Sequence, residues 1–255
     1  MTAPLFFADA EKLRAATLGA HVVLDGAEGR HAARAKRLAV GEEVVLSDGA
    51  GLRCHAEIAT VTGNSVEARV LARIVEPRPR PWLTVVQALA KGERDERAVE
   101  TMTEVGVDAI VPWQASRSIV RWDAVRAAKG VERWRTTARE AAKQSRRSWI
   151  PQISDVERTA DVVARLRSCA GASSVAVVVL HEDATRPLSE MLTDVDEIVL
   201  VVGPEGGISD DELAAFEAAG AAAHRLGPTV LRTSTAGTVA AAVLLANSGR
   251  WAHSD

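Results

Sequence analysis

The chain has 255 residues, is 47% hydrophobic and 25% charged, and carries a net charge of −3. That composition supports a full core, either in one large domain or in a small domain beside a larger one. Cys54 and Cys169 show no C-x-x-C or Cys/His ligand spacing, so neither a disulfide framework nor a metal site is indicated, and both thiols read as small buried apolar residues. No signal peptide, repeat or apolar run of bilayer-spanning length is found, and a cytoplasmic location is the expectation.

The first third reads as short strands and turns. His21–Leu24 and Val44–Ser47 are apolar runs, Asp48-Gly49-Ala50-Gly51 is a turn, and Leu52–Val61 and Ser65–Ile74 flank a Gly63-Asn64 turn. With one helix from Glu28 to Leu38, this predicts a small β-barrel. Pro77, Pro79 and Pro81 then forbid helix and central strand alike, and they set a domain boundary, 1–76 against 77–255. Beyond it, strands alternate with helices, the signature of an α/β domain with a parallel sheet. The expected strands are Leu83–Ala90, Ala109–Pro112, Val175–His181, Ile198–Val202 and a short one ending at Leu226. The expected helices are Arg94–Val105, Ala124–Ser145, Leu213–Ala219 and Ser234–Asn247. The last of these is small or apolar on every side, which predicts a helix buried all round by close packing, either inside the domain or at a dimer interface.

Charge is unevenly spread. Glu182–Glu217 holds 11 acids against a single arginine, a local charge of −10, so the rest of this −3 chain carries +7. Arginines and lysines cluster at Arg30–Arg37, Arg73–Arg80, Lys91–Arg97 and Arg133–Arg147. Such clusters fit an RNA surface, with solvated helix faces as the alternative.

Two segments concentrate the chemistry, Gly203-Pro204-Glu205-Gly206-Gly207-Ile208 and the run from Leu226-Gly227 to Leu231-Arg232-Thr233-Ser234-Thr235-Ala236. Each follows an apolar strand and opens a helix, so both belong at the carboxyl edge of the sheet, where open α/β folds bind ligands. Ser209-Asp210-Asp211-Glu212 reads as a capping box with further acids in the first helical turn. Those acids repel a pyrophosphate, and neither a P-loop nor G-x-G-x-x-G is present. A nucleoside without phosphates, such as the cationic S-adenosylmethionine, fits better than ATP or NAD.

These turns, together with Lys91-Gly92, Glu104-Val105-Gly106-Val107, Arg117, Arg133-Trp134 and Gln144-Ser145, resemble the knotted SPOUT class of methyltransferases. Within it the chain looks like the family that methylates uridine N3 in bacterial 16S ribosomal RNA. His31, Arg37, Gly41 and the Asp48-Gly49 turn resemble that family's PUA-like RNA-binding module. The resemblance implies a C-terminal trefoil knot, S-adenosylmethionine as cofactor, small-subunit rRNA as partner, a homodimer, and no metal. It departs at three places: Ala115-Ser116-Arg117 stands for Ser-Glu-Arg, Lys143-Gln144 for Glu-Gln, and Ser234-Thr235-Ala236 for Glu-Thr-Ala.

The implied cofactor residues are Leu180, His181, Gly203, Pro204, Glu205, Gly206, Gly207, Leu226, Gly227, Leu231, Arg232, Thr233, Ser234 and Ala236. Glu205 is the candidate base or substrate orienter, with a loop brace as the competing reading. Arg232 is the candidate for stabilising the uracil anion, with a structural salt bridge as the alternative. His31, Arg37, Arg117, Arg146 and Arg147 are assigned to RNA. Two other functions stay open: ribose 2′-O methylation by a related SPOUT enzyme, and a catalytically silent RNA-binding or ribosome-assembly protein.

Overall fold

The computed structural model describes residues 3–169, 174–191 and 193–252. They form two compact units, one running up to Arg78 and including Ala142–Ile150, the other holding Pro79–Ala141 and everything from Pro151 onward.

The first unit contains β1 (Leu5–Phe7), α1 (Ala10–Ala15), β2 (His21–Leu24), α2 (Gly26–Arg30), β3 (Glu43–Ser47), β4 (Leu52–Thr62) and β5 (Ser65–Val75). The strands make one sheet in the order β1-β3-β4-β5-β2, parallel only between β1 and β3. Alternate residues of β4 and β5, among them Cys54, Ala56, Ile58, Val66, Ala68 and Val70, point into its core. The helix expected over Glu28–Leu38 is broken instead. α2 passes into a π-helical turn, His31–Ala35, closed by Lys36 N–H donating to the His31 carbonyl at 2.9 Å, and Arg37 then adopts φ 53°.

Ala142–Ile150, placed by the sequence in the second domain, groups with the first unit for a steric reason. A Cβ on Gly51 would stand 2.6 Å from the Trp149 ring, and one on Gly49 would stand 2.5 Å from Ile150 Cδ1. The Asp48 turn is therefore moulded to that segment, its carboxylate accepting from the Ala50 and Leu52 N–H groups at 2.7 and 3.0 Å. Lys143, which replaces the resembled family's glutamate, is buried in an ion pair with Glu28 at 2.9 Å.

The second unit contains β6 (Trp82–Ala88), α3 (Arg94–Val105), β7 (Ala109–Gln114), α4 (Ala124–Gln144), β8 (Gln152–Ile153), β9 (Glu157–Arg158), α5 (Thr159–Cys169), β10 (Val175–Leu180), β11 (Glu197–Val202), α6 (Asp210–Ala218), β12 (Ala222–His224) and α7 (Thr233–Asn247). The last three residues of α4 belong to the first unit. The sheet order is β12-β10-β11-β6-β7-β8, with β9 also on β7, and every pairing is parallel. Runs such as Val-Ala-Val-Val-Val-Leu in β10 are apolar on both faces because both faces are covered. Ile198, Leu200 and Val202 of β11 point to a core shared with α3, α4 and α7, while Val199 and Val201 point to one shared with α5 and α6.

Within a single copy α7 is covered on one face. Gly237, Ala240, Ala241, Leu244 and Leu245 are covered, and a Cβ on Gly237 would meet Met102 Sδ at 2.9 Å, whereas Thr235, Val239 and Ala246 are exposed. Small residues let α7 lie close on α3, and one face stays open.

Past α7 the chain is tied back to the sheet. Asp108, fully buried before β7, accepts from Leu83 N–H at 3.0 Å and from Arg250 Nη2 at 2.8 Å, and Arg250 Nη1 donates to the Pro81 carbonyl at 3.1 Å. Removing one partner of a covered ion pair leaves the other charge without solvent or counterion. Asp108→Ala is therefore expected to destabilise the protein by about 3 kcal/mol, read as a lowered denaturation midpoint in urea titration.

Candidate cofactor cavity

The strands β10, β11 and β12 end together, and the turns that follow them enclose a cavity of about 890 Å³. β10 contributes Leu180 and His181, whose N–H donates to the His224 carbonyl at 3.0 Å. β11 contributes Val202 and the whole turn Gly203-Pro204-Glu205-Gly206-Gly207. β12 leads into Arg225–Arg232, which forms the opposite wall and passes directly into α7 through Thr233 and Ala236. Every residue that the sequence assigns to the cofactor lines this space except Ser234, in the first turn of α7. The N-cap position of α7 belongs to Arg232.

One hydroxyl joins the two turns. Thr233 Oγ1 donates to the Gly203 carbonyl at 2.6 Å and accepts from Gln87 Nε2 at 3.0 Å, so the start of α7, the end of β11 and the end of β6 meet at one point. Within the glycine turn, Gly207 has φ +74° and its N–H returns to the Pro204 carbonyl at 2.9 Å. A Cβ on Gly206 would lie 3.0 Å from the Arg117 carbonyl, which presses on the turn. Gly227 differs: a Cβ there would meet no atom within 4 Å, and its backbone is of ordinary conformation. Its missing side chain leaves open space at the cavity wall, which is what close approach of a ligand requires.

Arg117, assigned by the sequence to RNA, stands on this cavity and donates to the Ile208 carbonyl at 3.4 Å. The other RNA candidates lie in the first unit, His31 half-buried against Phe6, Arg37 and Arg146 exposed with φ 53° and 58°, and Arg147 half-buried. Glu205 accepts from Lys91 N–H at 3.4 Å and lies 3.5 Å from Arg94, which also lines the cavity. Those contacts match the loop-brace reading. Arg232 is exposed and has no ion-pair partner among the described residues, so the salt-bridge reading has no support.

Four arginines, Arg94, Arg117, Arg225 and Arg232, and four acids, Glu182, Asp183, Glu205 and Asp210, share the lining. A balanced rim with acids at the start of α6 disfavours a polyphosphate and suits a nucleoside bearing a positive charge. Among the described residues no cluster of His, Cys, Asp and Glu is arranged to hold a metal ion.

The sequence reading missed the part played by Glu212. Besides closing the capping box, its buried carboxylate accepts from Ser116 N–H at 2.8 Å, Ser116 Oγ at 2.7 Å and Thr159 Oγ1 at 2.7 Å. It thereby fixes the Ser116-Arg117 segment against the glycine turn. The resembled family's glutamate in place of Ser116 would set a second carboxylate against Glu212. Only the capping box was visible in the local sequence, because Ser116 and Thr159 are remote in the chain.

The fold is a SPOUT-type α/β fold preceded by a PUA-like domain. Models of an RNA methyltransferase domain and of an RNA methyltransferase PUA domain match residues 76–245 and 24–71. The chain belongs to this RNA methyltransferase family. It is 46% identical to the ribosomal RNA small subunit methyltransferase E of Mycobacterium bovis, over 98% of this chain and 94% of the relative. The protein of the same name in Bacillus subtilis is 29% identical over 84% and 85%. Among solved structures, a Legionella pneumophila methyltransferase in complex with S-adenosylmethionine superposes with a TM-score of 0.84 at 27% identity, covering 96% of this chain and 98% of that one. The Neisseria gonorrhoeae ribosomal RNA small subunit methyltransferase E bound to S-adenosylmethionine gives 0.83 at 26%, with the same coverage.

Glu212 makes the site sensitive to acid. Burial pushes its carboxyl up, but the hydrogen bonds from Ser116, Thr159 and Ser209 outweigh that and hold it below the ordinary value of 4.5. A lowered folded-state pKa contributes stability that is present above the ordinary value and lost as the pH falls through the lowered one. Glu212→Gln is expected to cost about 2 kcal/mol at neutral pH, with the gap to the wild type closing in acid. Denaturant titrations of both proteins from neutral pH down to pH 3 measure that gap.

Proposed function

We propose that this protein transfers the methyl group of S-adenosylmethionine to N3 of a uridine in small-subunit (16S) ribosomal RNA. The observation that carries the reading is the cavity itself, formed by two glycine-bearing turns at the carboxyl ends of β11 and β12 and overlooked by the unpaired cation Arg232. The names of the relatives and the cofactor in the two solved structures support it.

Leu180, Leu226 and Leu231 offer apolar walls for an adenine, and Gly203, Gly206, Gly207 and Gly227 let backbone come close to it. The donor supplies an electrophilic methyl on a sulfonium. Neutral uracil N3 is a weak nucleophile whose proton must leave, and the resulting charge spreads onto O2 and O4. Arg232 stands before the positive end of the 15-residue α7, where no carboxylate among the described residues balances it, so it is placed to stabilise an anion. Glu205 orders the Lys91–Arg94 segment at the cavity rim, with Arg94 as a second cation facing the substrate. His31, Arg37, Arg146 and Arg147 of the first unit bind RNA phosphates, and Arg117 holds RNA at the cavity. The open face of α7, with Thr235, Val239 and Ala246, is where a second copy packs in a homodimer. A cytoplasmic location follows from the substrate, and among the described residues no helix is long and apolar enough to cross a membrane.

Labelled S-adenosylmethionine incubated with small ribosomal subunits should place label on uracil N3, identified by mass spectrometry of the nucleosides. Label on ribose would assign the chain to the 2′-O reaction, and no incorporation despite RNA binding would leave the silent RNA-binding reading. Arg232→Ala is expected to lower kcat by about 10²-fold with little change in donor affinity. Gly227→Val, which fills open space without strain, should instead weaken donor binding in calorimetry by about tenfold or more.

A further inference from the structure

The second unit holds another cavity of similar size, about 880 Å³, between α4 and the segment that follows β7. Its wall is apolar: Ile119, Val120 and Trp122 from that segment, with Ile119 66% exposed. Trp122 is firmly seated, edge-on to Trp134 at 5.9 Å, and a Cβ on Gly130 of α4 would collide with its ring at 2.5 Å. The rim is cationic. Arg121, Arg126, Lys129 and Arg133 face it against only two acids, Glu96 and Glu132. Arg133 pairs with Glu96 at 3.4 Å and Arg126 with Asp123 at 3.6 Å, whereas Lys129 has no ion-pair partner among the described residues. Arg121 donates to the Ser116 carbonyl at 3.0 Å, immediately before Arg117, which lines the first cavity. Arg117 of the first cavity and Ile119 of the second are thus separated by Ser118 alone, and the Glu212 hydrogen bonds anchor this segment at Ser116.

We propose that this second cavity is a subsite for one unpaired nucleotide of the RNA, adjacent to the uridine presented to the first cavity. The inference rests on the RNA methyltransferase reading above. An apolar wall carrying a fixed indole accepts a base face, and the surplus of cations on the rim accepts the phosphate that accompanies it. A second copy of this chain is a poorer occupant, because a two-fold contact centred here would oppose the same cations. The arrangement also explains why the wall is left bare: Ile119 stays exposed beside a cationic rim, while Val120 and Trp122, packed against the core behind it, line the same space. A base unstacked to enter the first cavity leaves its neighbour unstacked as well, and the second cavity offers that neighbour a surface in exchange.

The test uses the intact protein and a single-stranded RNA of the target sequence, with binding read by fluorescence anisotropy at several salt concentrations and methyl transfer measured in parallel. Lys129→Gln removes an exposed cation that touches neither the first cavity nor the core. The expected result is weaker RNA binding with a salt slope shallower by about one, a raised KM for RNA, and unchanged kcat at saturating RNA and unchanged donor affinity. Ile119→Asp, also exposed, should raise the same KM by about tenfold or more. RNA affinity and salt slope identical to wild type in both variants would overturn the proposal. Conversion of the sedimenting species to a smaller one by either variant would also overturn it, assigning the face to a second copy. Wild-type protein that binds this RNA but transfers no methyl would sink the enzyme reading instead, and the binding comparison would still decide the subsite.

Discussion

The Thr233 hydroxyl holds the candidate site together. Its one proton goes to the Gly203 carbonyl on one side, and its oxygen accepts from the Gln87 amide on the other. Thr233 and Gln87 are buried, so a threonine replaced by valine would take from the Gly203 carbonyl its hydroxyl donor, at a cost of about 1–3 kcal/mol, and leave Gln87 Nε2 with the Ala88 carbonyl at 3.2 Å. More than stability depends on it. The chain between β12 and α7 has no regular structure, and this hydrogen bond fixes where its end meets the glycine turn. Without it the two walls of the cavity have no common reference, and positions along Arg225–Arg232 lose their register against β11. The close seating of α7, with Gly237 against Gln87 and Met102, serves the same end from the helix side.

Charge then decides what the cavity accepts. Helix N-termini and glycine turns ordinarily attract phosphate, and α6 and α7 both begin here. The start of α6 is filled by its own acids, Asp210, Asp211 and Glu212, with the Ser209 capping box complete. The start of α7 is occupied by Arg232. The start of α6 is therefore closed to a bound phosphate and the four acids of the rim oppose a polyphosphate, whereas the start of α7, with Arg232, favours a single negative charge. What remains favourable is a nucleoside whose own charge is positive, opposed by an anion that forms only during reaction. A cation such as Arg232 contributes most where the charge it meets is transient and water is scarce.

Much of this was legible in the sequence where the signal is local. The alternation of strands and helices after Pro81, the helix Arg94–Val105, and the two glycine-bearing turns follow from periodicity and from glycine and proline placement. Local signals failed where distant residues decide. α5 was not anticipated, although Val162, Val163 and Leu166 give it an apolar stripe, because its eleven residues sit among short strands with weak patterns. The π-helical turn at His31–Ala35 depends on the Lys36 hydrogen bond, which composition does not encode. The attachment of Ala142–Ile150 to the first unit depends on Gly49 and Gly51 making room for Ile150 and Trp149, a contact across about a hundred residues of chain. Glu212 looked like a cap and is also a three-way anchor, since Ser116 and Thr159 reach it only in the folded chain.

The grouping of Arg146 and Arg147 with His31 and Arg37 separates two kinds of work. On the proposed function, exposed cations such as Arg37 and Arg146 would act on RNA phosphates through solvent, where interactions fade beyond about 8–10 Å at physiological salt. Their contribution is affinity without sequence, and it varies steeply with ionic strength. The cofactor cavity of the second unit is built the other way: its four arginines and four acids balance, so no polyanion is drawn to it by net charge, and what it accepts is set by where each charge stands.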